Sequence, residues 1–148
     1  MELRIDEAQG DMDAVDLYDD LREEDMLEIL GLMHHPRDAV IMSYATSSKC
    51  YSVKDDNNYL YCSFGVAPIE GTNIGSAWLL GTRRLPKIKK FFLKHSKERM
   101  MDLMDGFDYL TNFVMKSNTL SYRWLKWLGA EFNDCHLDGY LSFILERK

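Results

Sequence analysis

The spacing of apolar and polar positions divides the chain into strands and helices. Residues 2–8 alternate weakly, with Leu3 and Ile5 on one side, and predict a short first strand before Gly10. From Asp11 the period changes. Met12, Val15, Leu17, Tyr18 and Leu21, then Met26, Leu27, Ile29, Leu30, Leu32 and Met33 recur at helical spacing, and acids fill the positions between them. This pattern predicts two short helices broken near residues 22–25, with their acids on the outer face. His34-His35-Pro36 ends the run because a residue before proline is pushed out of helical geometry. Pro36 itself suits the first turn of a third helix over residues 37–47.

Residues 49–53 and 59–69 are rich in aromatic and β-branched side chains and flank Asp55-Asp56-Asn57-Asn58, a hairpin signal. A second turn over residues 70–73 leads into residues 74–80, giving three consecutive antiparallel strands that end at Gly81-Thr82. Pro86 then stands where a helix opens. Ile88, Phe91, Phe92, His95, Met100, Leu103 and Met104 give that helix an apolar stripe with lysines opposite, and Gly106 stops it. Residues 107–115 are an apolar run of strand length. Ser117-Asn118 starts a further helix carrying Tyr122, Leu125, Trp127 and Leu128, and Gly129 closes it. Residues 136–145 follow as alternating strand material around Asp138-Gly139. Strand, helix, strand in this order implies a right-handed crossover and one parallel pair in an otherwise antiparallel sheet, an α/β fold of the α+β kind.

At 148 residues one core is the starting expectation, so a single domain spans 1–148: an acidic strand-and-helix region over 1–48, then the sheet and its helices over 49–148. No stretch reaches the length of apolar sequence that a membrane span needs, and the first residues are acidic where a targeting peptide would be basic, so a soluble intracellular protein is expected. Cys50, Cys62 and Cys135 are odd in number and lack paired ligand spacing, which argues for inert thiols rather than disulfides or a metal knuckle. His34-His35 likewise has no ligand pattern around it. The net charge of -6 argues against a nucleic-acid partner, although Arg83, Arg84, Lys87, Lys89, Lys90, Lys94, Lys97 and Arg99 cluster in one segment. That segment reads more readily as a solvated basic helix face.

The order of a three-strand meander, a helical crossover, a parallel strand, a helix that opens on asparagine and ends in Leu-Gly, and a last hairpin resembles the GNAT-type N-acetyltransferase fold. Residues 118–132 look like that family's closing motif. The wider pattern is an Ala77-Trp78 strand ending in Gly81-Thr82, a basic crossover helix, and Tyr109-Leu110-Thr111-Asn112-Phe113-Val114. Asn118, Arg123-Trp124-Leu125-Lys126 and Leu128-Gly129-Ala130 complete it. This is similar to the internal virion protein A family of short-tailed (podovirus) phages, small GNAT-like proteins made during particle assembly.

The resemblance implies an acyl-CoA site where two parallel strands splay apart, with the pyrophosphate on backbone N–H groups at the start of the crossover helix. The cofactor-binding residues so implied are Trp78, Leu79, Leu80, Thr82, Arg83, Arg84, Lys87 and Asn118. Two departures stand out. The phosphate loop of the family reads Arg/Gln-x-x-Gly-x-Gly/Ala, whereas residues 82–88 contain no glycine, so only Arg83, Arg84 and Lys87 offer charge to a phosphate. The acid that reprotonates the thiolate is usually a tyrosine seven residues after the asparagine, a position held here by Leu125; Tyr122 replaces it only if the helix is rotated. Asn118 reads first as a plain helix N-cap, because asparagine is a preferred cap in any fold. Glu70 is the catalytic-base candidate, with His95 and His136 as looser ones.

Two functions follow from the resemblance. The first is a GNAT-fold virion, internal-core or assembly protein with degenerate or no acetyltransferase activity. Its partners would be phage virion or core proteins or a host protein, and its location the virion or the host bacterial cytoplasm. The second is an active N-acetyltransferase that uses acetyl-CoA on a protein or small amine.

Overall fold

A computed structural model describes residues 2–147 of the chain. Seven strands form one sheet: β1 (Leu3–Glu7), β2 (Lys49–Asp55), β3 (Leu60–Pro68), β4 (Ile74–Gly81), β5 (Tyr109–Met115), β6 (Glu131–Asp134) and β7 (Tyr140–Leu145). Their order across the sheet is β1-β2-β3-β4-β5-β7-β6, and β4 with β5 is its parallel pair. The remaining pairs are antiparallel, so the expected mixed α/β sheet is present. The last hairpin is the one strand assignment that shifts. It begins at Glu131 rather than in residues 136–145, and residues 136–139 form its turn, because Phe132 packs inward against Phe143.

Local chemistry sets the turns. Between β2 and β3 the Asp55 carboxylate accepts the N–H groups of Asn57 and Tyr59 at 2.9 and 3.1 Å, and Asn58 takes the left-handed conformation that asparagine tolerates. Five α-helices flank the sheet: α1 (Gly10–Asp19), α2 (Glu23–Gly31), α3 (Pro36–Thr46), α4 (Lys89–Met104) and α5 (Thr119–Leu128). Pro36 opens α3 as its first residue, where its missing N–H costs nothing. Gly129, at φ 102°, ends α5 with Ala130 N–H returning to the Leu125 carbonyl.

Side chains alternate across β4, so Ala77 and Leu79 face one layer while Trp78 and Leu80 face the other. The first layer is the larger core, in which α4 and α5 bury Phe92, Met100, Trp124 and Leu125 against Phe64 and Leu110. In the second, α1, α2 and α3 bring Leu17, Ile29 and Val40 onto Leu60 and Leu80. The acids of this second layer do not all face water, as the pattern predicts. Asp13 and Asp25 are fully buried. Asp13 takes the Ser52 hydroxyl at 2.7 Å and Lys54 Nζ at 2.7 Å, so its charge is compensated on the sheet surface. Among the described residues no helix is long and apolar enough to cross a membrane.

Candidate functional site

Strands β4 and β5 pair only at their first three residues, Ile74–Ser76 with Tyr109–Thr111. Beyond that they part, β4 staying bonded to β3 and β5 to β7, and a cavity of about 590 Å³ opens between and above them. Trp78, Leu79, Phe113, Ser121, Trp124 and Leu125 are among its walls. At the apex of the V, Asn112 bridges the strands: its side-chain amide donates to the Ala77 carbonyl at 2.9 Å, and its carbonyl oxygen accepts the Phe113 N–H at 2.8 Å.

The mouth of the V is closed by α2, which lies across the carboxyl ends of β4 and β5. Asp25 accepts the Gly81 N–H at the end of β4, at 2.8 Å. One helical turn later Glu28 accepts the Met115 N–H at the end of β5, at 2.9 Å. Asn118 donates from its amide nitrogen to both acids, at 3.2 and 3.1 Å. Arg22 forks onto Asp25 with two bonds of 3.0 Å and gives a third, of 2.9 Å, to the Asn118 carbonyl oxygen. Tyr140, at the start of β7, donates its hydroxyl to the Glu28 backbone carbonyl at 2.6 Å, where Gly31 leaves room for the ring. The result is a closed polar network bridging the two parting strands. Within it burial pushes the Glu28 carboxyl up to about 7, against the pull of the Met115 N–H, and nearby Asp25 adds to the rise.

Residues 20–22 continue the closure along β4. Leu21 forms a bridge with Thr82, Arg22 N–H bonds to the Gly81 carbonyl, and Arg83 N–H bonds to the Asp20 carbonyl. The loop that the resemblance assigns to pyrophosphate is therefore internally bonded. Thr82 N–H goes to the Tyr61 carbonyl, Arg84 N–H to the Thr82 hydroxyl, Leu85 N–H to the Thr82 carbonyl and Lys87 N–H to the Arg84 carbonyl. Pro86 has no N–H, and a short 3₁₀ turn over Leu85–Ile88 tightens the chain where a phosphate nest would need to open. In this arrangement the residues present do not fit a pyrophosphate.

The cofactor residues implied by the resemblance divide accordingly. Trp78, Leu79 and Leu80 do line the cleft, although the Trp78 indole N–H is taken by Ser47 at 2.7 Å. Thr82 is buried and donates to the Leu60 carbonyl. Arg83 points to solvent near Asp20, Arg84 lies over the Tyr59 ring at 4.0 Å, and Lys87 is exposed. Asn118 occupies the N-cap position of α5 but makes no side-chain cap bond, so the capping reading is corrected: its amide serves the α2 network.

The catalytic candidates do not converge. Glu70 is exposed in the turn preceding β4, at the end of that strand away from the mouth, and does not line the cleft. Tyr122 packs on Phe132 at 4.5 Å and faces away from the cavity, while Leu125 fills the wall where the resemblance expects an acid. His95 stacks on Phe91, and His136 meets Phe113 edge-on from the last turn. Among the described residues no three His, Cys, Asp or Glu side chains gather to hold a metal. Sequence reasoning missed Arg22, Asp25 and Glu28. The available signal was an arginine set among acids at the predicted helix break, three residues before Asp25.

No family model matches the chain, and no curated protein matches it in sequence. Solved structures do match. The GNAT domain of S. lividans PAT superposes with a TM-score of 0.70 at 12% identity, covering 98% of this chain and 90% of its own. A GCN5-related N-acetyltransferase from Kribbella flavida gives 0.66 at 14% identity, over 98% of each chain. A Bacillus subtilis acetyltransferase in complex with CoA gives 0.66 at 14% identity, over 99% and 100%. At such identities the likeness establishes the GNAT N-acetyltransferase fold.

Proposed function

We propose that this GNAT-fold chain is an internal-core or assembly-associated protein of a short-tailed phage particle in which acetyl transfer is degenerate or lost. The observation that carries the loss of activity is the carboxylate staple of α2, since Asp25 and Glu28 occupy the strand-end N–H groups of Gly81 and Met115 at the mouth of the cleft. The internally bonded loop from Thr82 to Lys87 and the apolar Leu125 support the same reading. Placement in a phage particle is supported by the resemblance of residues 77–130 to the internal virion protein family. Titration with acetyl-CoA at millimolar concentration tests it. A specific site, saturated about a hundredfold above its dissociation constant, would stabilise the fold by about 2.7 kcal/mol. We expect no heat and no shift in unfolding; tight binding that is lost in Arg83→Ala overturns the reading. Co-purification with phage particles is expected, and absence from them counts against the virion role.

A second reading is favoured by Glu28. A carboxyl that titrates near pH 7 in the wall of a cavity is suited to exchange protons with a bound amine. That reading is an acetyl-CoA-dependent N-acetyltransferase acting on a protein or small amine, and it requires α2 to leave the mouth of the cleft. Acetyl-CoA binding in the same titration is what it predicts.

A further inference from the structure

Away from the cleft, α1 and α3 leave a second cavity of about 590 Å³ open along their shared outer face. Nine of the twelve large apolar side chains exposed among the described residues fall between Met12 and Met42, so the exposure concentrates on this helical layer rather than scattering over the surface. Val15 and Tyr18 on α1 and Ile41 on α3 form the apolar wall of the groove. Ala14 and Ala45 keep it deep. Asp11 and Asp19 stand at its two ends, roughly 12 Å apart at the helical rise. Neither has an ion-pair partner among the described residues. Arg37 is the cation in the lining.

We propose that this groove binds an amphipathic, lysine- and arginine-rich helix of a partner protein. An extended segment would find no sheet edge here to satisfy its backbone, whereas a helix satisfies its own and lays apolar side chains, one turn apart, between α1 and α3. The unpaired acids at both ends select basic flanks by charge complementarity. A second copy of the chain does not supply such a helix. Its basic helix α4 turns Lys89, Lys90, Lys94 and Lys97 to solvent but buries Phe92, Met100, Leu103 and Met104 in its own core.

The test uses a fluorescent synthetic peptide of about four helical turns, with leucines at i, i+4 and i+7 and lysines on the other face, and a twin with glutamate for lysine. The lysine peptide is expected to bind in the roughly micromolar range and the glutamate twin at least about tenfold more weakly. Val15→Lys and Ile41→Lys, both at exposed positions, should each weaken binding about tenfold, and Asp19→Lys several-fold. Ile69→Lys, exposed in the β3–β4 turn, should leave it unchanged. Thermal unfolding of each variant confirms the fold. The proposal is overturned if the groove variants bind like the wild type or if the twin binds equally well. It is also overturned if sedimentation shows a dimer that Ile41→Lys dissociates, because the occupant would then be a second copy. The cleft is untouched by these changes, so this result and the acetyl-CoA titration are read independently.

Discussion

Helices α4 and α5 bury aromatic and aliphatic side chains against one face of the sheet, whereas α1, α2 and α3 cover the other with a smaller apolar cluster and two fully buried acids. The outer surfaces differ in the same sense. α4 turns lysines outward and keeps its apolar residues inside, while α1 and α3 leave Met12, Val15, Ile41 and Met42 in solvent. The first layer follows the ordinary rule that burial of apolar area drives folding. The second uses buried polar bonds to bridge the two parting strands and keeps apolar surface uncovered, the surface on which the proposed partner helix would lie.

The largest effect expected from breaking this contrast is in the first layer. Trp124 is fully buried, packs near-perpendicular on Phe64 at 5.8 Å and donates its indole N–H to Ser96 at 2.9 Å. Trp124→Ala should cost about 4 kcal/mol in denaturant unfolding, from the cavity and the orphaned hydroxyl. Arg22→Met should cost about 3 kcal/mol, because Asp25 would stay buried with its guanidinium partner gone. If this variant unfolds no more easily than the wild type, the second layer does not depend on its polar network.

Glu28→Gln gives a smaller effect, with a defined pH dependence. The folded carboxyl titrates near 7 against an ordinary value of 4.5, so between these pH values the native state holds a proton that the unfolded chain has released. Stability therefore falls as pH rises through that window, and the loss is complete above pH 7. A glutamine oxygen can accept from both Met115 N–H and Asn118, as Glu28 Oε2 does. The variant should be more stable than the wild type by on the order of 1 to 3 kcal/mol at pH 8, with the gap closing near pH 4. A difference between the two proteins that does not vary with pH would refute the assignment.

Much of the fold was legible in the chain because its signals are local. The Asp55–Asn58 turn, Pro36 at the start of α3 and Gly129 at the end of α5 act through their own backbone preferences, and the change of apolar period marks where strands give way to helices. The cleft was legible only in part. Trp78, Leu79 and Leu80 stand in its wall, whereas Glu70 and Tyr122 lie elsewhere, because which way a turn or helix faces depends on what packs against it.

By itself the sequence determined the order of elements, the lack of glycine in the loop after Gly81 and the leucine at position 125, features that need no neighbour to be read. Tertiary structure alone decided which acids of α2 turn inward onto the strand ends. Asp25 and Glu28 sit among Glu23 and Glu24 in one acidic helix, and nothing local separates them. What separates them is the sheet. Where β4 and β5 part, each strand is left with an N–H at its end that needs an acceptor, and the turn of α2 that crosses both ends supplies two carboxylates at the matching spacing.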